Sequence, residues 1–140
     1  MKRISYGALI MLTAALTVVP AIHAQKIATA AIPFDFRVDS TWLPGGTYEV
    51  RDMNQSAILI VTTDNKQHAL VLNMNAGDNK AGATKLIFDK VGNNYFLREI
   101  WTSVRDQGVR VHESRAEKEM LASSHNSSGQ GAETVIVAMR

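Results

Sequence analysis

The chain has 140 residues with 15 lysines and arginines, 13 aspartates and glutamates, and no cysteine. A chain of this length is expected to form one domain with a hydrophobic core of its own. Without cysteine it cannot form disulfides, bind a metal through thiolates or carry the lipidated cysteine of a bacterial lipoprotein.

The first 24 residues have the layout of a secretory signal peptide. They start with two basic residues, continue through the largely apolar residues 4–19 and end on a small residue, Ala24. The alternative is an uncleaved membrane anchor, but this run is shorter than the roughly 20 apolar residues that a spanning helix needs. The sequence therefore predicts a signal peptide over residues 1–24, a single β domain over residues 25–140, and a periplasmic or extracellular location.

Cleavage after Ala24 would remove the excess of positive charge. Lys2 and Arg3 leave with the leader, so residues 25–140 carry 13 basic and 13 acidic residues and no net charge. Nucleic acids and anionic membranes bind proteins through a concentrated positive field. The sequence therefore predicts no nucleic-acid partner and gives no reason to expect binding to an anionic membrane. No membrane span is predicted after cleavage.

Short β-prone segments separated by turn residues follow the leader. Residues 32–38 alternate apolar and polar side chains and form the first predicted strand, and Pro33 places that strand at a sheet edge or leaves its start unpaired. The other predicted strands cover residues 47–51, 57–63, 68–74, the two arms of a hairpin over 85–102, 109–113 and 134–139. Residues 75–82 are polar and are predicted as a loop.

The hairpin over residues 85–102 is the predicted centre of the core. Gly92, Asn93 and Asn94 join its arms, and tight hairpins favour these residue types because their turn positions need positive φ. Apolar side chains occupy both faces of the arms. The hairpin is therefore expected in the middle of a sheet, partly covered on both sides.

A short helix is predicted before the last strand. Ser114 and Glu117 match a capping box, in which each side chain satisfies a free amide at a helix start, and good helix formers continue to Ala122. Residues 123–132 are rich in Ser and Gly and are predicted as a mobile loop.

Together these elements predict an all-β fold of about eight antiparallel strands. The strands are expected to form a small meander barrel or a barrel-like sandwich. Closure into a barrel is favoured because it removes exposed strand edges.

Three stretches resemble a family of small exported bacterial proteins of uncharacterised function. They are Ile32-Pro33-Phe34-Asp35-Phe36, Leu43-Pro44-Gly45-Gly46-Thr47-Tyr48 and residues 92–101, GNNYFLREIW. Members of that family carry an IPFDF start, an LPxGTY turn and a GxxYFLxxxW hairpin. This chain departs from the pattern at Gly45, where alanine is expected, and in its Ser-rich loop. The resemblance implies export and a β fold, and it supplies no activity and no catalytic residues.

No catalytic, cofactor or metal site is predicted. His68, His112 and His125 do not have the spacing of converging metal ligands. Ser123 and Ser124 precede His125 in the predicted loop, which lacks a nucleophile elbow and cannot hold a catalytic geometry.

Three acidic residues are candidates for a pair of neighbouring carboxylates. They are Asp35, Glu99 and Glu113, which could meet if their strands are neighbours. Outward-facing strand charges explain these residues equally well.

Four aromatic residues form the candidate ligand pocket. Trp42, Tyr48, Tyr95 and Trp101 could surround an apolar small molecule or lipid, although the same residues could instead fill the core. The sequence therefore predicts a non-enzymatic exported protein with this pocket. The alternative is a structural or protein-interaction module of the cell envelope that uses an exposed strand edge, expected on the first or the last strand. An outer-membrane barrel and a hydrolase are less favoured, since several strands are short and carry mid-strand arginines.

Overall fold

The computed structural model describes residues 25–128 and 131–140. The predicted signal peptide, residues 1–24, lies outside the described residues, as do residues 129 and 130 of the predicted loop. The described residues form eleven strands and one helix. They are β1 (Gln25–Ile32), β2 (Phe36–Val38), β3 (Thr41–Leu43), β4 (Gly46–Met53), β5 (Ala57–Thr62), β6 (His68–Leu72), β7 (Asn75–Asp78), β8 (Lys85–Val91), β9 (Asn94–Trp101), β10 (Gln107–Arg110), α1 (Arg115–Ser128) and β11 (Glu133–Ala138).

The strands form two sheets in which nearly all pairs are antiparallel. The first sheet has the order β1-β4-β5-β6, and the second has the order β11-β8-β9-β10-β7. Strand β2 joins the second sheet through a parallel pairing with β9 and carries β3 on its other side. The predicted all-β class with one helix before the last strand is therefore confirmed.

Both sheets contribute their inner faces to one hydrophobic core. Tyr48 and Ile60 fill it from the first sheet, and Phe88 and Leu97 fill it from the second. Phe36 lies between them, with its ring 5.2 Å from that of Tyr48 and 5.5 Å from that of Phe88, both nearly perpendicular. Edge-to-face contacts of this kind add about 0.5 to 1.5 kcal/mol to the free energy gained by burial.

The two sheets do not close into a barrel, which corrects the preference for closure. Thr29 and Arg140 join one pair of edges through two backbone hydrogen bonds of 2.7 and 2.9 Å. On the other side the chain crosses from β6 to β7 within two residues, and β6 pairs with β5 alone among the described strands. The result is a barrel-like sandwich that keeps one free edge on its first sheet.

The first predicted strand, residues 32–38, is in fact two strands. Strand β1 ends at Ile32 and β2 begins at Phe36, because Pro33 cannot donate to a ladder and the chain turns there. Asp35 accepts a 2.8 Å hydrogen bond from the Gly45 backbone amide in this turn. A Cβ at Gly45 would lie 3.1 Å from backbone of residue 34, which explains why glycine stands here.

Sequence patterns missed two strand segments. Most of β1 lies before Ile32 in an alanine-rich stretch, and β7 consists of Asn75-Ala76-Gly77-Asp78, in the predicted polar loop. These residue types have low β-propensity, so their strand conformation depends on pairing with β4 and β10. The chain therefore has more strands than the eight predicted.

Helix α1 starts as predicted but runs further. The Glu117 amide donates to the Ser114 hydroxyl at 3.2 Å, as expected for an N-cap. Residues 123–128 continue the helix, where the sequence predicts the first part of a mobile loop. The Ser123 hydroxyl donates to the Glu119 carbonyl at 2.8 Å and Ser124 donates to the Leu121 carbonyl at 2.9 Å, so these serines satisfy their hydroxyls within the helix.

No helix within residues 25–128 and 131–140 has the length and apolar content needed to cross a membrane.

The predicted hairpin is present as β8 and β9, in the interior of the second sheet. Gly92 has a φ of +61° at its turn, as the sequence requires, and a Cβ there would meet no atom within 4 Å. We expect Gly92→Val to destabilise the protein by about 1 kcal/mol more than Gly92→Asn, because asparagine tolerates positive φ and a β-branched residue does not. Urea denaturation of both variants measures the difference, and equal midpoints would contradict the role of this turn.

Candidate functional site

The structure brings two of the four predicted pocket residues together. Trp42 on β3 is 53% exposed, and Tyr95 on β9 is half-buried against Phe34, with ring centroids 3.8 Å apart. Both line a shallow surface pocket of about 190 Å³ together with Asp35 and Arg37. The pocket has charged walls, so it differs from the apolar cavity that the sequence predicts.

The other two aromatic residues lie elsewhere. Tyr48 is fully buried, its hydroxyl donates to the Pro44 carbonyl, and burial raises the pKa of this phenol, with a smaller contribution from the negative charge of Asp35. Trp101 is six positions along β9 from Tyr95, about 20 Å away in an extended strand. Its indole N–H donates to Glu99 at 2.9 Å, and its ring covers Gly108 so closely that a Cβ there would lie 2.8 Å from it. The four residues therefore do not surround one cavity.

The histidines and serines considered as catalytic or metal-binding groups are dispersed. His68 lies on β6, His112 follows β10 and His125 lies on α1, and all three are exposed. The described part of the chain contains no group of three or more His, Asp or Glu side chains placed to hold a metal ion. Ser123 and Ser124 lie on α1 beside His125, in a helix instead of a loop.

The three candidate carboxylates, Asp35, Glu99 and Glu113, do not pair with one another, and each has a different interaction partner. Asp35 accepts from the Gly45 amide, and Glu99 forms an ion pair with Arg110 at 3.6 Å. Glu113 instead joins a partly buried cluster that the sequence does not reveal.

This cluster surrounds the guanidinium of Arg98 between the second sheet and α1. Arg98 pairs with Asp89 on the adjacent strand at 3.2 Å and with Glu113 in the segment before α1. Glu117, on the first turn of α1, is only 3% exposed, and its Oε1 atom is buried without a hydrogen-bond partner. We call Asp89, Arg98, Glu113 and Glu117 the Arg98 cluster.

The Arg98 cluster has three carboxyl groups and one guanidinium. Burial raises the pKa of Glu117 from 4.5 to about 7; the charge of Glu113 adds to this rise and that of Arg98 opposes it. Burial also raises the pKa of Asp89, with Arg98 again opposing. Glu117 therefore carries a proton over most of the acidic pH range, which reduces the repulsion among the three acids.

The two acids of the Arg98 cluster whose pKa is raised are shielded from solvent. Asp89 and Glu117 are buried, so a ligand cannot reach their carboxyl groups while α1 stays in place. Glu117 is the one buried residue in the described part of α1, and the half-buried Met120 and Leu121 lie on the next turn. The Arg98 cluster therefore lies at the contact between α1 and the second sheet.

The free edge of β6 is the second feature that sequence reasoning did not locate. The Asn73 amide donates to the Ser56 carbonyl at 3.1 Å, which fixes the hydrogen-bonded positions between β5 and β6. Since such positions alternate along antiparallel strands, the backbone groups of His68, Leu70 and Leu72 point away from β5 and toward the free edge.

The same residues also present exposed side chains. Leu70 is 54% exposed and Leu72 is 70% exposed on the outer face of the first sheet, whereas Ala69 and Val71, which alternate with them along the strand, are buried. Met74 extends this apolar row just beyond the strand and is 45% exposed. We call Leu70, Leu72 and Met74, together with the free backbone groups of β6, the β6 edge.

A scan against protein-family models finds no match for this chain, and searches of curated proteins and of solved structures find none either. The geometry of the described residues is therefore the basis for a functional proposal.

The Arg98 cluster makes stability depend on pH in a defined direction. The raised pKa of Glu117 contributes stability that is fully present below about pH 4.5 and is lost as the pH rises through about 7. We expect the free energy of unfolding of the wild type, relative to Glu117→Gln, to fall over this range by up to about 3 kcal/mol. Urea denaturation between pH 4 and pH 8 measures it.

Glu119→Gln is the matched control, because Glu119 lies on the same helix with an exposed side chain. Its stability should follow that of the wild type at every pH. Parallel curves for the wild type and Glu117→Gln would show that Glu117 does not titrate as described.

Proposed function

We propose that this protein is an exported, non-enzymatic interaction module of the cell envelope that binds an extended segment of a partner protein at the β6 edge. The observation that carries the proposal is that Leu70 and Leu72 combine free backbone groups and exposed apolar side chains on the same strand. Export is supported by the signal-peptide layout of residues 1–24.

A bound strand would satisfy both sets of groups at once. Its backbone would pair with His68, Leu70 and Leu72, which gives affinity without demanding a particular sequence. Its alternate side chains would lie beside Leu70 and Leu72 on the outer face and cover them. Strand β6 has no charged residue, so a partner segment with apolar side chains at these positions fits best.

Natural sheets commonly protect free edges with charges, prolines or bulges. Strand β6 has none of these: its residues are His68-Ala69-Leu70-Val71-Leu72, and its register with β5 is regular. An unprotected edge with exposed leucines makes a protein that acts alone prone to aggregation. This supports a role in which the edge is covered by a partner.

A non-enzymatic role is part of the proposal. The pKa of Glu117 is raised to about 7 and that of Asp89 is also raised, and both residues are buried in the Arg98 cluster. Their placement favours a structural role over catalysis.

The β6 edge can be tested by photo-crosslinking in cells that export the protein. A photoreactive phenylalanine analogue at position 72 should form a covalent adduct with a partner, and adding Leu70→Lys should abolish that adduct because a charge would be buried in the contact. The control places the analogue at position 136, since Ile136 is 58% exposed on another edge strand, β11. Equal adduct yields at positions 72 and 136, or none at 72, would refute the proposal.

A second candidate function, binding of a small molecule, is favoured by the pocket between Trp42 and Tyr95. Its charged walls and exposed indole suit a ligand with one flat apolar face and a polar rim. Native mass spectrometry of the exported protein should then show a ligand that is retained by the wild type and lost in Trp42→Ala. A bare mass for both proteins would count against this function.

A further inference from the structure

We infer that the strand that covers the β6 edge is β6 of a second copy of this chain, so that two first sheets join into one eight-stranded sheet. This inference rests on the proposed function, since it names the partner for the same edge.

The edge is complementary to itself. An antiparallel pair of identical strands has a twofold axis. Each residue whose backbone groups point toward the free edge must then lie opposite another such residue of the second copy. With the axis at Leu70, Leu70 faces Leu70 of the second copy, and His68 faces Leu72 of the second copy. Three hydrogen-bonded pairs form in this register, or about six backbone hydrogen bonds.

Neighbouring registers fit less well. Moving the axis to Val71 would require the Met74 carbonyl, which already accepts a 2.6 Å hydrogen bond from the Arg110 amide. Moving it to Ala69 would place Lys66 opposite Leu72, and the Lys66 amide is already bonded to Asp64 within the turn before β6. The register centred on Leu70 uses free groups alone.

The side chains agree with this register. Leu70 and Leu72 are 54% and 70% exposed in a single chain. In the dimer, Leu70 would pack against Leu70 of the second copy, and Leu72 would pack against His68 of the second copy. The strand has no charged side chain, so pairing it with itself brings no like charges together. A second copy supplies this match of outward-facing residues by symmetry.

The absence of cysteine from the sequence allows a test that reads the register directly. Leu70→Cys would place two cysteines opposite each other, with Cα atoms about 5.5 Å apart, within the range that a disulfide spans. Leu72→Cys would place the two cysteines four positions out of register, roughly 13 Å apart, which a disulfide cannot span. Both positions are exposed, so both variants should fold.

Each variant is expressed as the full chain, purified from the exported fraction and mildly oxidised. We expect Leu70→Cys to double its mass on a non-reducing gel and Leu72→Cys to stay monomeric. The double variant His68→Cys/Leu72→Cys should dimerise again, because each of its cysteines faces one of the second copy. Equal crosslinking of Leu70→Cys and Leu72→Cys, or no crosslinking of Leu70→Cys and the double variant, would overturn the inference.

The two proposals fail separately. If position 72 photo-crosslinks to a different protein while Leu70→Cys stays monomeric, the second copy is excluded and the interaction module stands. If position 72 forms no adduct of any kind, both proposals fail.

Discussion

The rest of the structure depends on one apolar contact region, in which Phe36 joins the inner faces of the two sheets. Its ring meets Tyr48 of the first sheet and Phe88 of the second, and no disulfide is available to hold the sheets together. The short strand β2 that carries Phe36 is placed by its pairing with β9. The turn at Pro33, which separates β2 from β1, therefore serves to bring Phe36 between the sheets.

Polar contacts lie around this core, at the loop after β9 and at helix α1. Arg105 and Asp52, both largely buried, form a 2.7 Å ion pair between the loop after β9 and strand β4. The Arg98 cluster lies between α1 and the second sheet, and it includes Glu117, a buried acid that keeps its proton at mildly acidic pH. Such a contact is conditional on pH, because an ionised Glu117 would add a third negative charge beside Arg98.

The open sandwich also explains why a free edge exists. A closed barrel would have paired β6 on both sides, whereas here the chain leaves β6 for β7 in the second sheet after two residues. The free backbone groups of β6 are a consequence of that crossing, whereas the side chains of Leu70 and Leu72 are exposed because they point to the outer face of the first sheet. The free backbone groups and the exposed leucine side chains lie on the same strand, so a single bound strand could satisfy both.

The sequence by itself determined the elements whose signals are local. Gly92 and its neighbours set the central hairpin, and Ser114 set the start of α1, because turn and cap geometry depend on a few adjacent residues. It could not show β7, whose residues become a strand only through pairing with β10, nor the meeting of Asp89 with Glu117, which are distant in the chain. Only the tertiary structure decided that β6 lies at an edge. Its residues 69–72 are all apolar and suit a strand covered on both faces, and which face and edge stay uncovered depends on how the sheets are assembled.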